Sequence, residues 1–302
     1  MSLAPTLGDA FAIASSLCFA SSNICVARGA RPGAEDNGAF VSLLVTTAIA
    51  GGLWALGGAM RGFEPVTLRA LAWFAGAGVF TAFIGRVFFY AAIERVGAMR
   101  SSTTKRLIPF FAVILGVAVL GEPLTAGMVA GVLLIGASFA VLLKAGARRG
   151  GAEATRAMLR AGYTYGAVSA LGYATGYLLR KMGLADAPDA LLGAAVGCLT
   201  GVMLFLATAA FKDDYARAVR ATFTQPNRLL LAAGVLSTFG QIFYFAALGE
   251  SPMSRVALVT SIEVFITLFL GALFLRRREA ITPALLLAAV LGVGGTACVI
   301  AL

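Results

Sequence analysis

The chain has 302 residues, of which 60% are hydrophobic and only 13% are charged, and its mean hydropathy is +0.90. A soluble domain is roughly 45–50% apolar and about 25% charged, so this chain has too little polar surface to coat a water-soluble globule. The net charge of +10 does not point to nucleic acid, because the basic residues stand mostly in short segments between apolar runs, as in membrane proteins. The sequence has no His, and its four Cys lie inside apolar runs without a C-x-x-C pair, so we predict no metal and no cofactor.

Ten apolar runs are long enough to cross about 30 Å of hydrocarbon, which takes about 20 helical residues. The first run has no basic residue before it, so it predicts a membrane helix rather than a cleaved signal. Most prolines stand at or just before the start of a run, where a missing N–H costs little. We therefore predict a multi-pass protein of the cell inner (plasma) membrane with spans 1 to 10 at residues 7–27, 40–60, 70–93, 98–120, 124–143, 161–179, 190–211, 229–248, 256–275 and 284–302.

The two halves of the chain share a sequence pattern. Residues 85–93 read Gly-Arg-Val-Phe-Phe-Tyr-Ala-Ala-Ile, and residues 240–248 read Gly-Gln-Ile-Phe-Tyr-Phe-Ala-Ala-Leu. Gln241 thus occupies the position in the second half that Arg86 occupies in the first. A repeat of five helices has an odd number of crossings, so the second copy must enter the membrane in the opposite orientation.

We predict an all-α membrane protein with ten transmembrane helices in two inverted five-helix repeats, residues 1–145 and 157–302. The Lys and Arg residues indicate its orientation. Of the 24 basic residues, 16 fall in connections that follow odd-numbered spans, if Arg100 at the start of span 4 is counted with the connection before it, and 5 fall in connections that follow even-numbered spans. The positive-inside rule then puts the odd-numbered connections in the cytoplasm.

Four charged residues stand out inside the predicted spans: Arg86 in span 3, Lys105 and Arg106 in span 4, and Glu263 in span 9. Charges at membrane depth are costly and mark functional sites. The uncharged part of span 4 covers only about 21 Å at 1.5 Å per residue, so its two basic residues must enter the membrane or be buried in protein. Because the basic groups and Glu263 approach the midplane from opposite sides, a polar cavity shared by spans 3, 4 and 9 is the less costly arrangement.

Several neighbours share a helix face with these charges. Tyr90 follows Arg86 by four residues, and Thr260 precedes Glu263 by three. Pro109 removes a helical hydrogen bond near mid-membrane and predicts a hinge or a free carbonyl. The predicted substrate-binding residues are Arg86, Tyr90, Lys105, Arg106, Gln241, Thr260 and Glu263.

Other roles are open for some of these residues. Arg86 and Lys105 could extend to the near membrane interface, and Arg106 and Glu263 could form a structural ion pair. Membrane Thr and Ser hydroxyls usually bond their own helix backbone. Asn23, in the middle of span 1, could join helices or contact ligand. Glu122 precedes span 5, and Glu279 precedes span 10. A carboxylate at such a position can cap the helix that follows.

Two segments resemble signatures of EamA-type carriers of the drug/metabolite transporter superfamily. Residues 109–111 (Pro-Phe-Phe), Gly116 and residues 120–125 (Leu-Gly-Glu-Pro-Leu-Thr) resemble the fourth-helix signature. Residues 261–265 (Ser-Ile-Glu-Val-Phe) resemble the ninth-helix signature, although Val264 stands where proline is usual. The resemblance covers essentially the whole chain and implies a central cavity lined chiefly by helices 3, 4, 8 and 9.

The sequence departs from this family in two respects. Bacterial members usually have both termini in the cytoplasm, whereas the charge count predicts the reverse. Lys105-Arg106 stands where most members have small or apolar residues. The pair resembles the Lys-Arg pair that holds phosphate in the plastid phosphate translocators, which implies exchange of phosphorylated metabolites as an alternative function.

We predict a secondary transporter, an exporter of a small anionic or zwitterionic metabolite such as an amino acid, and not an enzyme. Its partners are a small-molecule substrate, the lipid bilayer, and a proton or counter-substrate that couples transport, with no nucleic acid. The sequence does not indicate an oligomeric state. A membrane-embedded lipid-modifying enzyme is a further alternative, but the lack of His and the single deep acid argue against it.

Overall fold

The computed structural model describes residues 6–29, 38–63, 65–85, 87–89, 92, 105–147, 156–274 and 283–301. Every regular element in these ranges is helical, as predicted. The α-helices are α1 (Leu7–Gly29), α2 (Ala39–Arg61), α3 (Leu68–Gly78), α4 (Ile108–Leu120), α5 (Ala126–Ala147), α6 (Arg156–Asp186), α7 (Ala190–Ala209), α8 (Asp213–Thr224), α9 (Arg228–Glu250), α10 (Met253–Thr260), α11 (Glu263–Phe274) and α12 (Pro283–Ala301).

Six helical segments of the described chain are long and apolar enough to cross a membrane: Leu7–Gly29, Ala39–Arg61, Leu68–Phe89, Ala190–Ala209, Arg228–Glu250 and Met253–Gly271. Shorter apolar helices at Ile108–Leu120, Ala126–Val141 and Leu286–Ala301 add to them. The prediction of an all-helical, multi-pass membrane protein is therefore confirmed. The count of ten spans and the inversion of the repeats stay predictions.

Two of the predicted spans are interrupted. Span 3 passes from α3 into a π-helical turn at Val79–Ile84. Span 9, predicted as one helix, consists of α10 and α11 with a turn at Ser261 and Ile262 between them. The Ser261 hydroxyl donates a hydrogen bond to the Leu258 carbonyl at 2.7 Å, which satisfies one carbonyl at the end of α10. Such interruptions are found at the binding sites of membrane transporters, where backbone groups are freed to face a cavity.

Pro109 does not interrupt a helix. It stands in the first turn of α4, which follows a short 3-10 turn at Lys105–Leu107. In the first turn the missing N–H of proline has no partner to lose, so the expected loss of an interior hydrogen bond does not occur. The preceding residues 93–104 lie outside the described part of the chain, and the hinge role of Pro109 stays a prediction.

Glu122 caps a helix, but not the one predicted. Its carboxylate accepts hydrogen bonds from the backbone N–H groups of Met253 (2.6 Å) and Ser254 (2.9 Å), at the start of α10 in the other half of the chain. The start of α5 is capped instead by Thr125, whose Oγ1 accepts from the N–H of Met128 at 3.2 Å. Because Thr125 caps α5, the Glu122 carboxylate is available to cap α10. Glu122 follows the end of α4, so this cap joins α4 to α10. Glu279 lies outside the described residues.

Small residues allow the helices to approach closely. A Cβ atom added to Gly131 of α5 would lie within 3.0 Å of Val299 in α12. On the other side of the protein, Gly183 of α6 packs against the ring of Phe74, and Phe74 meets Phe245 edge-on at 5.9 Å between ring centroids. Both Phe side chains are almost fully buried. Close packing of this kind replaces hydrophobic driving force between helices in lipid.

Candidate functional site

The larger of two adjoining cavities in the bundle has a volume of about 420 Å³. Helices α1, α4, α5, α6, α10 and α11 contribute to its walls. Its apolar side includes Pro109, Phe139 and Leu268. Its polar lining is formed by Asn23, Arg106, Tyr173, Tyr177, Thr260, Ser261 and Glu263. The cavity thus has the mixed lining, mostly apolar with a few convergent polar groups, that small-molecule sites have.

Arg106 lines this cavity from the turn that precedes α4. Its guanidinium carbon lies 5.5 Å from the centroid of the Phe139 ring, a cation–π distance. Its Nη1 is buried and has no hydrogen-bond partner among the described residues. Leaving a buried charged donor without an acceptor costs free energy. An acceptor on a bound molecule would recover that free energy.

Glu263 stands in the first turn of α11, where a carboxylate is stabilised by the helix dipole. Asn23 Nδ2 donates a hydrogen bond to Glu263 Oε1 at 2.9 Å, and lies 3.5 Å from Thr267 Oγ1. Asn23 therefore joins α1 to α11. It also lines the cavity, and its contact with a ligand stays a prediction. The ion pairs that the described side chains form do not include the predicted pair of Arg106 and Glu263.

Thr260 lines the cavity, but its hydroxyl proton is used within its own helix. Oγ1 donates to the Val256 carbonyl at 2.8 Å, as membrane Thr side chains commonly do. The hydroxyl oxygen can therefore act toward a ligand as an acceptor rather than as a donor.

The smaller cavity has a volume of about 210 Å³ and shares Tyr173, Tyr177 and Glu263 with the larger one. It lies between α6, α7, α9 and the π-helical turn of span 3, which contributes Thr81 and Ala82. The predicted residue Gln241 lies here and not in the larger cavity. The three shared side chains mark the boundary between the two cavities.

Arg180 lines the smaller cavity and was not predicted as a site residue. Only 7% of it is exposed. Its Nη1 donates a hydrogen bond to Gln241 Oε1 at 2.8 Å. Its guanidinium carbon lies 4.8 Å from the ring centroid of Phe245, 5.5 Å from that of Tyr177 and 5.7 Å from that of Tyr244. Its Nε is buried and has no hydrogen-bond partner among the described residues.

Arg180 was not predicted because span 6 was predicted to end at residue 179. Arg180 and Lys181 were therefore counted among the charges of the connection that follows the span. In the structure α6 continues to Asp186. Lys181 Nζ donates to the carbonyls of Leu248 (2.5 Å) and Ser251 (2.9 Å) near the end of α9. Arg180 and Lys181 both belong to a helix and not to a loop. The number of basic residues in connections that follow even-numbered spans therefore falls by two.

A signal for Arg180 was present in the sequence. Tyr173, Tyr177 and Arg180 are spaced i, i+4 and i+7, which places them on one helix face. An aromatic pair followed by a cation at this spacing predicts a shared polar face once the helix is known to continue.

The predicted site residues fall into three groups. Arg106, Thr260 and Glu263 lie around the larger cavity, and Gln241 lines the smaller one. Lys105 has a described backbone in the turn before α4, but nothing is described of its side chain. The two that lie outside the described residues are Arg86 and Tyr90.

A bundle of apolar helices around cavities lined by buried charges defines a multi-pass membrane transporter. The sequence model of the EamA-like transporter family matches residues 6–144 and, a second time, residues 160–301. The chain therefore belongs to the EamA-like transporter family, of the drug/metabolite transporter superfamily, and has its two-repeat architecture.

A solved structure shares this fold. Described only as "Crystal structure of protein", it aligns with 98% of this chain over 98% of its own length, with a TM-score of 0.68 and 17% sequence identity. At that identity the likeness concerns the fold alone. No curated protein matches the sequence significantly.

Proposed function

We propose that this protein is a secondary transporter that exports a small anionic or zwitterionic metabolite, such as an amino acid, across the inner membrane. The observation that carries the proposal is the cavity of about 420 Å³ with Arg106 and Glu263 in its lining. Charged groups at membrane depth are too costly to keep unless a watery chamber or a bound molecule compensates for their lost hydration.

The lining chemistry suits a molecule with an anionic group. Arg106 offers a guanidinium N–H without a protein acceptor, and a carboxylate or phosphate would accept from it at charge-assisted strength. Glu263 would accept an ammonium group or relay a proton. Phe139, Pro109 and Leu268 would contact the apolar part of the molecule. The proposed substrate-binding set is completed by the other predicted residues, which are Arg86, Tyr90, Lys105, Gln241 and Thr260.

Transport would proceed by rocking of the two repeats about this site, with the odd-numbered connections in the cytoplasm. The interruptions in spans 3 and 9 support this mechanism, because short helical segments can reorient without breaking a long hydrogen-bond ladder. Pro109, at the start of α4, would serve as a further hinge. A proton or a counter-substrate would supply the free energy.

The test is counterflow in proteoliposomes that contain the purified protein, preloaded with a panel of amino acids, phosphorylated metabolites and nucleotides. We expect exchange of a restricted set of anionic or zwitterionic molecules. Arg106→Gln and Lys105→Ala should reduce it at least about tenfold, the effect of one charged hydrogen bond. Arg220→Gln, an exposed change on α8, is the control. Full activity of Arg106→Gln and Lys105→Ala would remove these residues from the site, and no exchange of any panel member would refute the proposal.

A further inference from the structure

We infer that Arg180 and Gln241 form a second anion-binding subsite, which holds the carboxylate or phosphate head group of the transported molecule in the smaller cavity. The inference rests on the proposed function, since it assigns a further part of the same permeation site. It adds a subsite on α6 and α9 that the charge pattern of the sequence did not predict.

The charge of Arg180 has no counter-ion among the described side chains. Arg180 is 7% exposed, and the ion pairs of the described side chains do not include it. Gln241 gives it one neutral acceptor, and the rings of Tyr177, Tyr244 and Phe245 give it cation–π contacts. Neutral contacts of this kind offset only part of the free energy that burial of an ion costs. An anion in the adjoining cavity would make up the difference.

The smaller cavity has room for only part of a ligand. About 210 Å³ is too small for a whole drug-sized ligand, which needs roughly 300–1,000 Å³, but it suffices for a head group. The cavity adjoins the larger one at Tyr173 and Tyr177, which line both. A molecule with its anionic end at Arg180 would therefore extend its remaining part toward Phe139 and Leu268.

Glu263 lies where the two cavities adjoin. Tyr173, Tyr177 and Glu263 line both cavities, whereas Arg180 lines only the smaller one. A molecule with its anionic head at Arg180 would therefore reach Tyr177 and Glu263 as it enters the larger cavity, which suits a zwitterion whose cationic group follows its anionic head. Arg106 would stand at the far end, in the larger cavity.

The surrounding side chains hold the Arg180 guanidinium in place. Phe245, which lies under the Arg180 guanidinium, is 2% exposed and packs against Phe74, which is fully buried. The hydrogen bond to Gln241 Oε1 fixes the rotation of the Arg180 guanidinium within the guanidinium plane. A donor held in this way by packing and by a hydrogen bond needs little ordering when a ligand binds.

The experiment compares matched probes on the purified full-length protein by thermal stabilisation and calorimetry. The probes are the twenty amino acids, each with its α-carboxamide, and glycerol 3-phosphate with glycerol. We expect wild-type protein to prefer the anionic member of a pair at least about tenfold, which is 1.4 kcal/mol. Arg180→Gln should lose most of this preference. Arg106→Gln, which removes the other proposed donor to an anion, should weaken binding and lower the preference by a smaller factor, and Arg220→Gln should change neither.

Gln241→Glu keeps the test decisive if Arg180→Gln does not fold. The new carboxylate would accept from Arg180 Nη1 across the existing 2.8 Å contact and so act as an internal ligand. We expect this variant to be folded, to melt at a higher temperature than wild type, and to lose stabilisation by the anionic probe.

The outcomes separate the two proposals. Loss of the preference for an amino acid or for glycerol 3-phosphate would support the subsite and identify its ligand as a carboxylate or a phosphate. A folded Arg180→Gln that keeps the preference, or a Gln241→Glu that binds the anion undiminished, would overturn the subsite while transport by wild type stands. A wild type that neither binds nor exchanges any probe would overturn both.

Discussion

Arg255 holds Asp9 through two parallel hydrogen bonds, from Nε to Oδ1 and from Nη2 to Oδ2, each 2.8 Å long. The two residues are 246 positions apart, in α10 and α1, and Asp9 is only 2% exposed. Nη2 also donates to the carbonyl of Ile300 in α12 at 3.1 Å. This ion pair joins the first helix of the first half to two helices of the second half.

Removal of one partner of this pair should destabilise the protein strongly. Asp9→Asn leaves the half-buried Arg255 charge without its counter-ion, and losses of about 3–5 kcal/mol are typical when one partner of a buried pair is removed. Unfolding in detergent micelles would measure the loss. The double variant Asp9→Asn/Arg255→Gln should lose less than the sum of the single variants. Asp214→Asn, which removes an exposed ion pair with Arg217, should cost almost nothing. A loss below about 1 kcal/mol in Asp9→Asn would contradict this account.

Gly116→Ala should weaken the contact by which Glu122 caps α10. A Cβ at position 116 would lie within 3.0 Å of Ser254 Oγ and of a Glu122 carboxylate oxygen, so the cap would have to move. Loss of a helix cap costs about 1–2 kcal/mol. Gly57→Ala is the matched control, because nothing lies within 4 Å of its added Cβ. Thermal unfolding should separate the two, and equal stability of both variants would show that the cap contributes nothing.

Thr46 and Thr238 should contribute one measurable interhelical hydrogen bond. Their Oγ1 atoms are 2.9 Å apart between α2 and α9, and both side chains are buried. Since Thr238 already donates to the Gly234 carbonyl, Thr46 is the donor of the shared bond. Thr46→Val should cost about 0.6 kcal/mol and at most about 1.7 kcal/mol, the range for such bonds in membrane proteins. Thr208→Val, whose hydroxyl bonds its own helix, is the control. A double-mutant cycle with zero coupling would refute the assignment.

Asn23→Leu should reduce transport more than it reduces stability. The change removes a donor that helps to orient the Glu263 carboxylate, and a hydrogen bond to a charged group is worth about 1.5–3 kcal/mol. We expect counterflow at least about tenfold slower, with a small change in melting temperature. Ser22→Ala provides the comparison, because Ser22 donates to the Ala233 carbonyl of α9 away from the cavity. Ser22→Ala should lower the melting temperature and leave counterflow unchanged. Equal effects of the two variants on counterflow would assign Asn23 to helix packing alone.

Arg106 and Glu263 could be predicted as cavity residues because the cost of a charge in an apolar run is visible in the sequence. Arg180 could not, because its role depends on where α6 ends. The helix continues past a basic pair that resembles a membrane boundary, and it stops only before Asp189, which caps α7 through hydrogen bonds from the backbone of Leu191 and Leu192. The end of one helix was thus determined by the start of the next.

The sequence by itself determined that lipid is the solvent of this protein, that its chain is helical, and that a few charges must avoid the acyl tails. These properties follow from composition and local periodicity, since hydration of charges and hydrogen bonding of the backbone are local requirements. Only the tertiary structure decided which charges face which cavity. Arg180 meets Gln241 across 61 residues and Asn23 meets Glu263 across 240, and these contacts depend on helix packing that no short segment specifies.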